Sequence, residues 1–230
     1  MAYLRISLGV SAFSDAGRVL PAGIHQPAED LVQTVLERDG HACRYCGFTA
    51  KKYQEIQFLN GNTRDMSDDN LATACVFCHQ CLNLERAGQM NSGILIYAPE
   101  IDQVTLHHLT RSIYVARRTQ GPMADSARIA MNALLSRKDE AAARLGSDSP
   151  RLLAAVMREL LEPGTYKRRM QVLDGIRLMP LDKRLLKEDD FEFDQFPQIL
   201  AYWRSTNGPY GKTLPPTWPA MLQSVMEKAA

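Results

Sequence analysis

The sequence predicts an α+β protein, mostly helical, in which short strands and turns gather around a cluster of thiols. Three observations predict it. The cysteines fall into two pairs, Cys43-Arg-Tyr-Cys46 and Cys75-Val-Phe-Cys78, each with two residues between its thiols. Short apolar runs bounded by turn residues flank these pairs, as strands do. Beyond residue 100, apolar residues recur at steps of three and four, as they do on helices packed against a core. A chain of 230 residues has room for one large domain or for a small domain and a helical one. The expected division is a zinc-binding region over 1–100, with an N-terminal strand and helix, and a helical region over 101–230 packed on it as one unit.

Taken in order, residues 3–10 alternate weakly and predict an edge strand. Pro27-Ala-Glu-Asp opens a short helix whose apolar face is Leu31, Val35 and Leu36, and Asp39-Gly40 stops it. Residues 54–62 read as a strand leaving a turn at Asn60-Gly61. Asn70-Leu-Ala-Thr-Ala approaches the second cysteine pair, and the run from His79 to Arg86 predicts a helix ended by Gly88. Gly93-Ile-Leu-Ile-Tyr-Ala-Pro99 is a short strand capped by proline. Three helical stripes follow: Leu106, Leu109, Ile113 and Ala116; then Ala127, Ala130, Met131, Leu134 and Leu135; then Leu152, Leu153, Val156, Met157, Leu160 and Leu161, ended by Pro163-Gly164. Ile176–Pro180 is a short stretch before two segments around Phe196–Trp203 and Pro219–Lys228, and Gly208-Pro-Tyr-Gly and Pro215-Pro216 predict a mobile connection between them.

The paired thiols carry the chemistry. Two intervening residues let a tight turn aim both sulfurs at one point, and two such turns close a tetrahedral site of four sulfurs. Cys43, Cys46, Cys75 and Cys78 are therefore the expected metal ligands, and one structural zinc is the expected occupant, because zinc favours four-coordinate thiolate sites that leave no open position. The alternative is that these cysteines are simply buried or paired as disulfides. The fifth cysteine, Cys81, reads as a small buried apolar residue. His107 and His108 are neighbours on a helix, cannot face the same way, and are expected to be partly exposed and not ligands.

The composition sets limits. Hydrophobic residues make up 45% and charged residues 23%, an ordinary globular balance, and the formal net charge of +1 supplies no bulk field for nucleic acid or an acidic membrane. No run approaches the roughly 20 apolar residues that span a bilayer. Met1-Ala-Tyr-Leu-Arg-Ile-Ser-Leu-Gly lacks a basic leader followed by a long apolar stretch. The expected location is the reducing cytoplasm, where thiolates bind metal instead of pairing.

The order of knuckle, strand, Asp69-Asn70-Leu71 loop, second knuckle running into Cys78-His79, and helix resembles a treble-clef zinc finger. More specifically, it resembles the zinc-stapled HNH nuclease module over about residues 40–90. In that family a base on the strand before the central loop activates water. A second divalent metal, held by a residue beside that base and by the last His, stabilises the leaving oxygen. This chain reads Glu55-Ile56-Gln57-Phe58-Leu59 there, so Gln57 and Phe58 stand where the metal ligand and the base belong. A phenyl ring accepts no proton, and a neutral amide is a poor ligand for a hard cation. Glu55 points to the opposite face from Ile56 and Phe58, and His79 alone cannot fill both roles. The expectation is a scaffold without catalytic residues, and no enzyme.

A broader block, Cys43-Arg-Tyr-Cys46-Gly47-Phe48 … Tyr53-Gln54 … Asn70-Leu71-Ala-Thr-Ala-Cys75-Val-Phe-Cys78-His-Gln-Cys81 followed by Leu95-Ile96-Tyr97-Ala-Pro99-Glu100, is similar to the IcmJ (DotN) family of type IVB (Dot/Icm) secretion systems. Ile176-Arg177-Leu178-Met179-Pro180 is similar to a segment near that family's C-terminus. The resemblance implies a cytoplasmic, non-catalytic subunit with a structural zinc, held at the inner membrane through the secretion complex. Its partners would be the C-terminal tail of a DotL-like coupling ATPase and other coupling-complex subunits, with no small-molecule substrate. A tail ordering on the protein would use helix grooves or a strand edge. Candidate surfaces are the Ile94–Tyr97 strand and the aromatics Phe191, Phe193, Phe196, Tyr202, Trp203, Tyr210 and Trp218, most of which are expected to close the protein's own core. Two other classes stay open: an HNH-type endonuclease, and a zinc-finger nucleic-acid binder whose support is Arg117-Arg118 and Lys167-Arg168-Arg169.

Overall fold

The computed structural model describes residues 3–11, 25–188 and 191–229. Residues 3–10 are extended but lie in no sheet, which corrects the expected edge strand. Their backbone groups bond instead to the first cysteine turn and to the ends of two short helices: Leu4 N–H donates to the Arg44 carbonyl at 2.8 Å, Gly9 N–H donates to the Cys81 carbonyl at 2.8 Å, and the Gly9 carbonyl accepts Leu84 N–H at 2.9 Å. The segment acts as a strap that buries Leu8 and Val10.

Helix α1 (Glu29–Arg38) presents Val35 and Leu36 inward, with Leu31 half-buried. Strands β1 (Gln54–Phe58) and β2 (Leu71–Cys75) pair antiparallel, Gln54 opposite Cys75 and Phe58 opposite Leu71. Val35, Phe58 and Leu71 form a small core between α1 and this pair. The loop between the strands is tied by Asn70, whose side chain accepts Asn60 N–H at 2.8 Å and donates to the Asp65 carbonyl at 2.8 Å. The helix expected after the second cysteine pair is two helices, α2 (Val76–Leu82) and α3 (Leu84–Gln89), divided at Asn83, whose φ of −137° ends the first. Gly88 does not end that helix; it lies inside α3.

Next come β3 (Gly93–Tyr97), α4 (Gln103–Ala116), α5 (Pro122–Leu135), α6 (Lys138–Leu145) and α7 (Pro150–Leu160). Asp102 caps α4 by accepting Thr105 N–H, and Ser149 caps α7 by accepting Leu152 N–H. Pro163 does not end α7; it is the first residue of α8 (Pro163–Lys167), where a missing N–H costs nothing. Then follow α9 (Arg169–Val172), β4 (Ile176–Pro180), β5 (Leu185–Glu188), β6 (Phe191–Asp194), α10 (Phe196–Arg204) and α11 (Trp218–Ala229). The connection between α10 and α11 is a hydrogen-bonded turn, with Gly208 N–H on the Ser205 carbonyl and Tyr210 N–H on the Trp203 carbonyl.

The pairing of β3 with β4, Gly93 opposite Pro180 and Tyr97 opposite Ile176, explains why β3 reads as a continuous apolar run. Successive side chains on a strand point to opposite faces, and both faces of this pair are covered. Ile96 and Met179 enter one core with α4, α5, α10 and the cysteine region. Leu95, Ile176 and Leu178 enter a second core with the strap, α3, α6, α7 and Tyr166.

The third predicted stripe is only partly a core face. Pro150, Ala154 and Met157 are buried, whereas Leu152 is 51%, Val156 38% and Leu160 74% exposed; Leu109 of the first stripe also faces outward. The cause is a close crossing of α3 and α7. A Cβ on Gly88 would lie 2.4 Å from Arg151 Cβ and 2.7 Å from its Cα, so α7 approaches on its small-residue side. Gly88→Ala should force the helices apart and cost about 1–3 kcal/mol, the range for overpacking a tight contact. Urea unfolding of this variant reads the loss; an unchanged midpoint would show that α7 shifts freely.

Asp39 ties α1 to the sheet and to the first cysteine turn. Its carboxylate accepts Thr73 N–H at 2.8 Å and pairs with Arg38 at 3.0 Å and Arg44 at 3.3 Å. Burial pushes its pKa up, but the Arg38 and Thr73 hydrogen bonds outweigh that and hold it below the usual aspartate value. A folded pKa below the unfolded one contributes stability above about pH 4 that is lost as pH falls through the folded value. Asp39→Asn should cost about 1.5–3 kcal/mol at pH 7, as for charged hydrogen bonds. Denaturant titrations should show that deficit shrinking toward pH 3.

Candidate metal centre

The first cysteine turn is a small hairpin knuckle. Cys43 N–H donates to the Phe48 carbonyl at 2.9 Å, Gly47 N–H donates to the Cys43 carbonyl at 2.8 Å, and Ala42 bridges Thr49. Gly47 makes the turn at φ +73° with the Tyr3 hydroxyl where a Cβ would stand. The second pair uses a helix start: Cys75 is the N-cap of α2 and its Sγ accepts Cys78 N–H at 3.4 Å. Because β1 and β2 bring Cys75 beside Gln54, the two turns meet. All four Sγ atoms lie within 4.8 Å of one another, and no cysteine of the four is more than 5% exposed.

The Cys46 and Cys75 sulfurs are 3.7 Å apart. A disulfide needs about 2.0 Å, and the thiols are free. Four bonds of about 2.3 Å in a tetrahedron place sulfurs about 3.8 Å apart, so this spacing suits a common ion. The four cysteines could hold one metal ion, and their donor set, four soft sulfurs without oxygen, fits zinc. Cys81 is buried but stands outside the group.

Helix α4 covers the cluster with two polar residues four apart. Arg111, completely buried, points Nη2 at Cys75 Sγ (2.7 Å) and Cys46 Sγ (3.6 Å), and its guanidinium lies 4.2 Å from the Phe48 ring centre and 5.0 Å from that of Phe77. Burial opposes its charge, but the sulfurs of Cys75, Cys46 and Cys78 outweigh burial and raise its pKa. Burial likewise disfavours a Cys75 thiolate, and hydrogen bonds from the other three thiols together with the Arg111 charge reverse that, leaving its pKa lowered.

His107 is also fully buried, which corrects the expectation of partial exposure. Its Nδ1 is 3.3 Å from Cys78 Sγ, and its Nε2 is 3.6 Å from Cys81 Sγ. Gln103 fixes its tautomer. The Gln103 carbonyl accepts Leu178 N–H at 3.0 Å, so its amide nitrogen is the donor, to the Leu178 carbonyl at 2.7 Å and to His107 Nε2 at 2.9 Å. Nδ1 therefore carries the proton and donates to Cys78. Burial pushes the His107 pKa down to about 3, so the ring stays neutral. His108 is exposed, and its Nε2 hydrogen-bonds the Cys46 carbonyl at 2.9 Å. Sequence reasoning missed Arg111. Its signal was a cation set four residues after His107 within the buried stripe.

Where the nuclease resemblance would place a catalytic centre there is a groove of about 430 Å³ lined by Glu55, Gln57, His79, Asn83 and Arg86, among others. Gln57 and Glu55 share this face, and Phe58 turns into the small α1 core. The Gln57 carbonyl accepts Asn83 Nδ2 at 3.1 Å, and Asn83 also reaches His79 Nε2 at 3.3 Å. Glu55 is ion-paired with Arg184. Burial pulls the His79 pKa down to about 4, against the pull of Glu55. His41 sits on the turn after α1, in left-handed backbone at φ +53°.

The aromatic candidates divide as expected. Phe196 and Trp203 are buried, Tyr202, Tyr210 and Trp218 pack at the edge of the same core, and Phe191 stacks on Phe193 with 68% of its surface exposed. The β3 edge is closed: Leu95 N–H donates to the Asp148 carbonyl at 2.8 Å and Tyr97 N–H to the Arg137 carbonyl at 3.2 Å. Among the basic groups, Arg169 is buried and donates to the Leu8 carbonyl, and Arg117 pairs with Asp182 at 3.1 Å. No helix among the described residues is long and apolar enough to cross a membrane.

Fold and site together define an α+β protein organised on a buried four-cysteine cluster, with a knuckle, a hairpin and a helix start supplying the sulfurs. Over 86 residues the chain is 40% identical to the type 4 apparatus protein DotN of Legionella pneumophila subsp. pneumophila, strain Philadelphia 1. This match bears out the resemblance to the DotN (IcmJ) family read from the cysteine block. It spans 36% of this chain and 40% of that protein, so less than half the length of the relative is covered. No family model matches the chain.

Metal content separates the four cysteines from the fifth. Cys78→Ser should lose bound metal, whereas Cys81→Ala should keep it, both read by elemental analysis of purified protein. Metal loss from the Cys81 variant would place that sulfur in the ligand set.

Proposed function

We propose that this protein is a non-catalytic, zinc-binding subunit of a type IVB secretion coupling complex. In this reading Cys43, Cys46, Cys75 and Cys78 hold one structural zinc, residues 1–100 form the zinc-stapled region, and residues 101–230 form the helical region packed on it. The protein binds the C-terminal extension of the coupling ATPase and helps assemble the platform that recruits effectors, from the cytoplasmic side of the inner membrane. The observation that carries the reading is the 40% identity to a type 4 apparatus protein over a stretch of 86 residues. The four-sulfur cluster supports the zinc, since a site closed by four protein ligands staples a fold and leaves no position for substrate.

The groove beside the cluster supports a binding role. On the resemblance Phe58 stands where a nuclease would carry its base, and the Gln57 amide is engaged by Asn83. With the β3 edge closed, a partner segment has grooves and outward apolar faces to dock on, such as Leu152, Val156 and Leu160 of α7.

Co-purification with the C-terminal tail of the coupling ATPase from the same genome tests this. The expected result is a stoichiometric complex carrying about one zinc per chain, as one four-sulfur site requires. Zinc without tail binding would overturn the partner assignment. Metal-dependent nicking of plasmid DNA that His79→Ala abolishes would overturn the non-catalytic one.

A further inference from the structure

Four thiolates around a divalent ion carry a net charge of −2, and burying such a charge without compensation is costly. The cluster lies in an apolar core, so its compensation has to come from close by. Among the described residues Arg111 is the cation that reaches the sulfurs. No carboxylate among the described residues forms an ion pair with it, and the sulfurs of Cys75 and Cys46 are the hydrogen-bond acceptors it faces. Its Nε and Nη1 have no hydrogen-bond partner; the flat faces of the guanidinium meet Phe48 and Phe77 instead. A buried guanidinium held by two rings and two sulfurs is itself uncompensated unless those sulfurs are anionic. One turn earlier, the Nδ1–H of His107 is aimed at Cys78 by the chain from Leu178 through Gln103.

We infer that α4 supplies the outer shell of the metal site: Arg111 is the resident counter-ion of the four thiolates, and His107 is the neutral N–H donor that fixes Cys78. This rests on the metal reading above and adds the residues that tune it. Both are positioning residues that act through the sulfurs. Their N–H···S bonds withdraw electron density from the thiolates, and the Arg111 charge makes a doubly negative cluster tolerable in an apolar core. Outer-shell groups of this kind typically change metal affinity by about 10–100-fold.

The test compares wild type, Arg111→Met, Arg111→Lys and His107→Leu, loaded with cobalt(II) as a spectroscopic stand-in and titrated against a chelator, with folding checked by circular dichroism. Arg111→Met should bind cobalt about 10–100-fold more weakly, and its sulfur-to-cobalt charge-transfer band should move to lower energy as the thiolates become stronger donors. Arg111→Lys, which keeps the charge, should recover most of the affinity. His107→Leu should show the band shift with a smaller loss of affinity. A folded Arg111→Met that matches wild type in both affinity and spectrum overturns the inference, as does a lysine variant no better than methionine. Should the methionine variant not fold, cadmium-113 NMR of the unaltered chain decides: coupling from the metal to a resolved Arg111 side-chain proton is expected, and its absence overturns the assignment. A wild type that takes up no metal at all fails the metal reading itself and removes this one with it.

Discussion

Four sulfurs must converge within a few ångströms in a place that water does not reach, and much of the architecture serves that requirement. The knuckle brings two of them, the β1–β2 hairpin delivers the third to the start of α2, and the helix turn presents the fourth. Convergence alone would leave the cluster exposed on one side. Helix α4 closes it, and α4 is in turn held by the core that Ile96, Met179, Phe196 and Trp203 build behind it. The C-terminal aromatics, distant in sequence, are therefore part of the wall of the thiol site: Trp203 meets Phe48 edge-on at 5.5 Å and Phe77 at 5.6 Å, the two rings that sandwich Arg111.

Much of this was legible in the sequence where a short-range rule operates. Cysteine spacing gave the ligand candidates, the Asp39-Gly40 stop gave the end of α1, and the Gly93–Pro99 run gave β3, because each depends on a few adjacent residues. The strand partner of β3 was hidden, since pairing with β4 is a matter of tertiary contact. The same holds for residues 3–10: weak alternation says that a segment is half-buried, not that a strand lies beside it, and here the neighbours are a turn and the ends of two helices. Leu152, Val156 and Leu160 looked like core because their period is helical. Period defines a face, and the Gly88 crossing decided which face of α7 went inward. His107 was misplaced for a related reason. Adjacent helix positions diverge, as argued, but that leaves open which of the two is buried.

The groove beside β1 shows polar side chains committed to one another. Glu55, Gln57 and His79 line one concave face, yet each is committed to a neighbour: Glu55 to Arg184, Gln57 to Asn83, and His79 to Asn83 and to burial. Polar groups locked into one another serve to hold β1 against α2 and the β5–β6 approach.

The depth of the cluster also has a kinetic meaning. Each of the four cysteines is at most 5% exposed, and α4 lies across them. An ion held there would be shut off from solvent in the closed structure, so it would leave only when α4 or a knuckle opens locally. Exchange would then be timed by the opening of the protein and not by the strength of the metal–sulfur bonds. The rate at which one isotope replaces another would measure how often α4 or a knuckle lifts from the sulfurs, turning a bound ion into a clock for the motion of the fold around it.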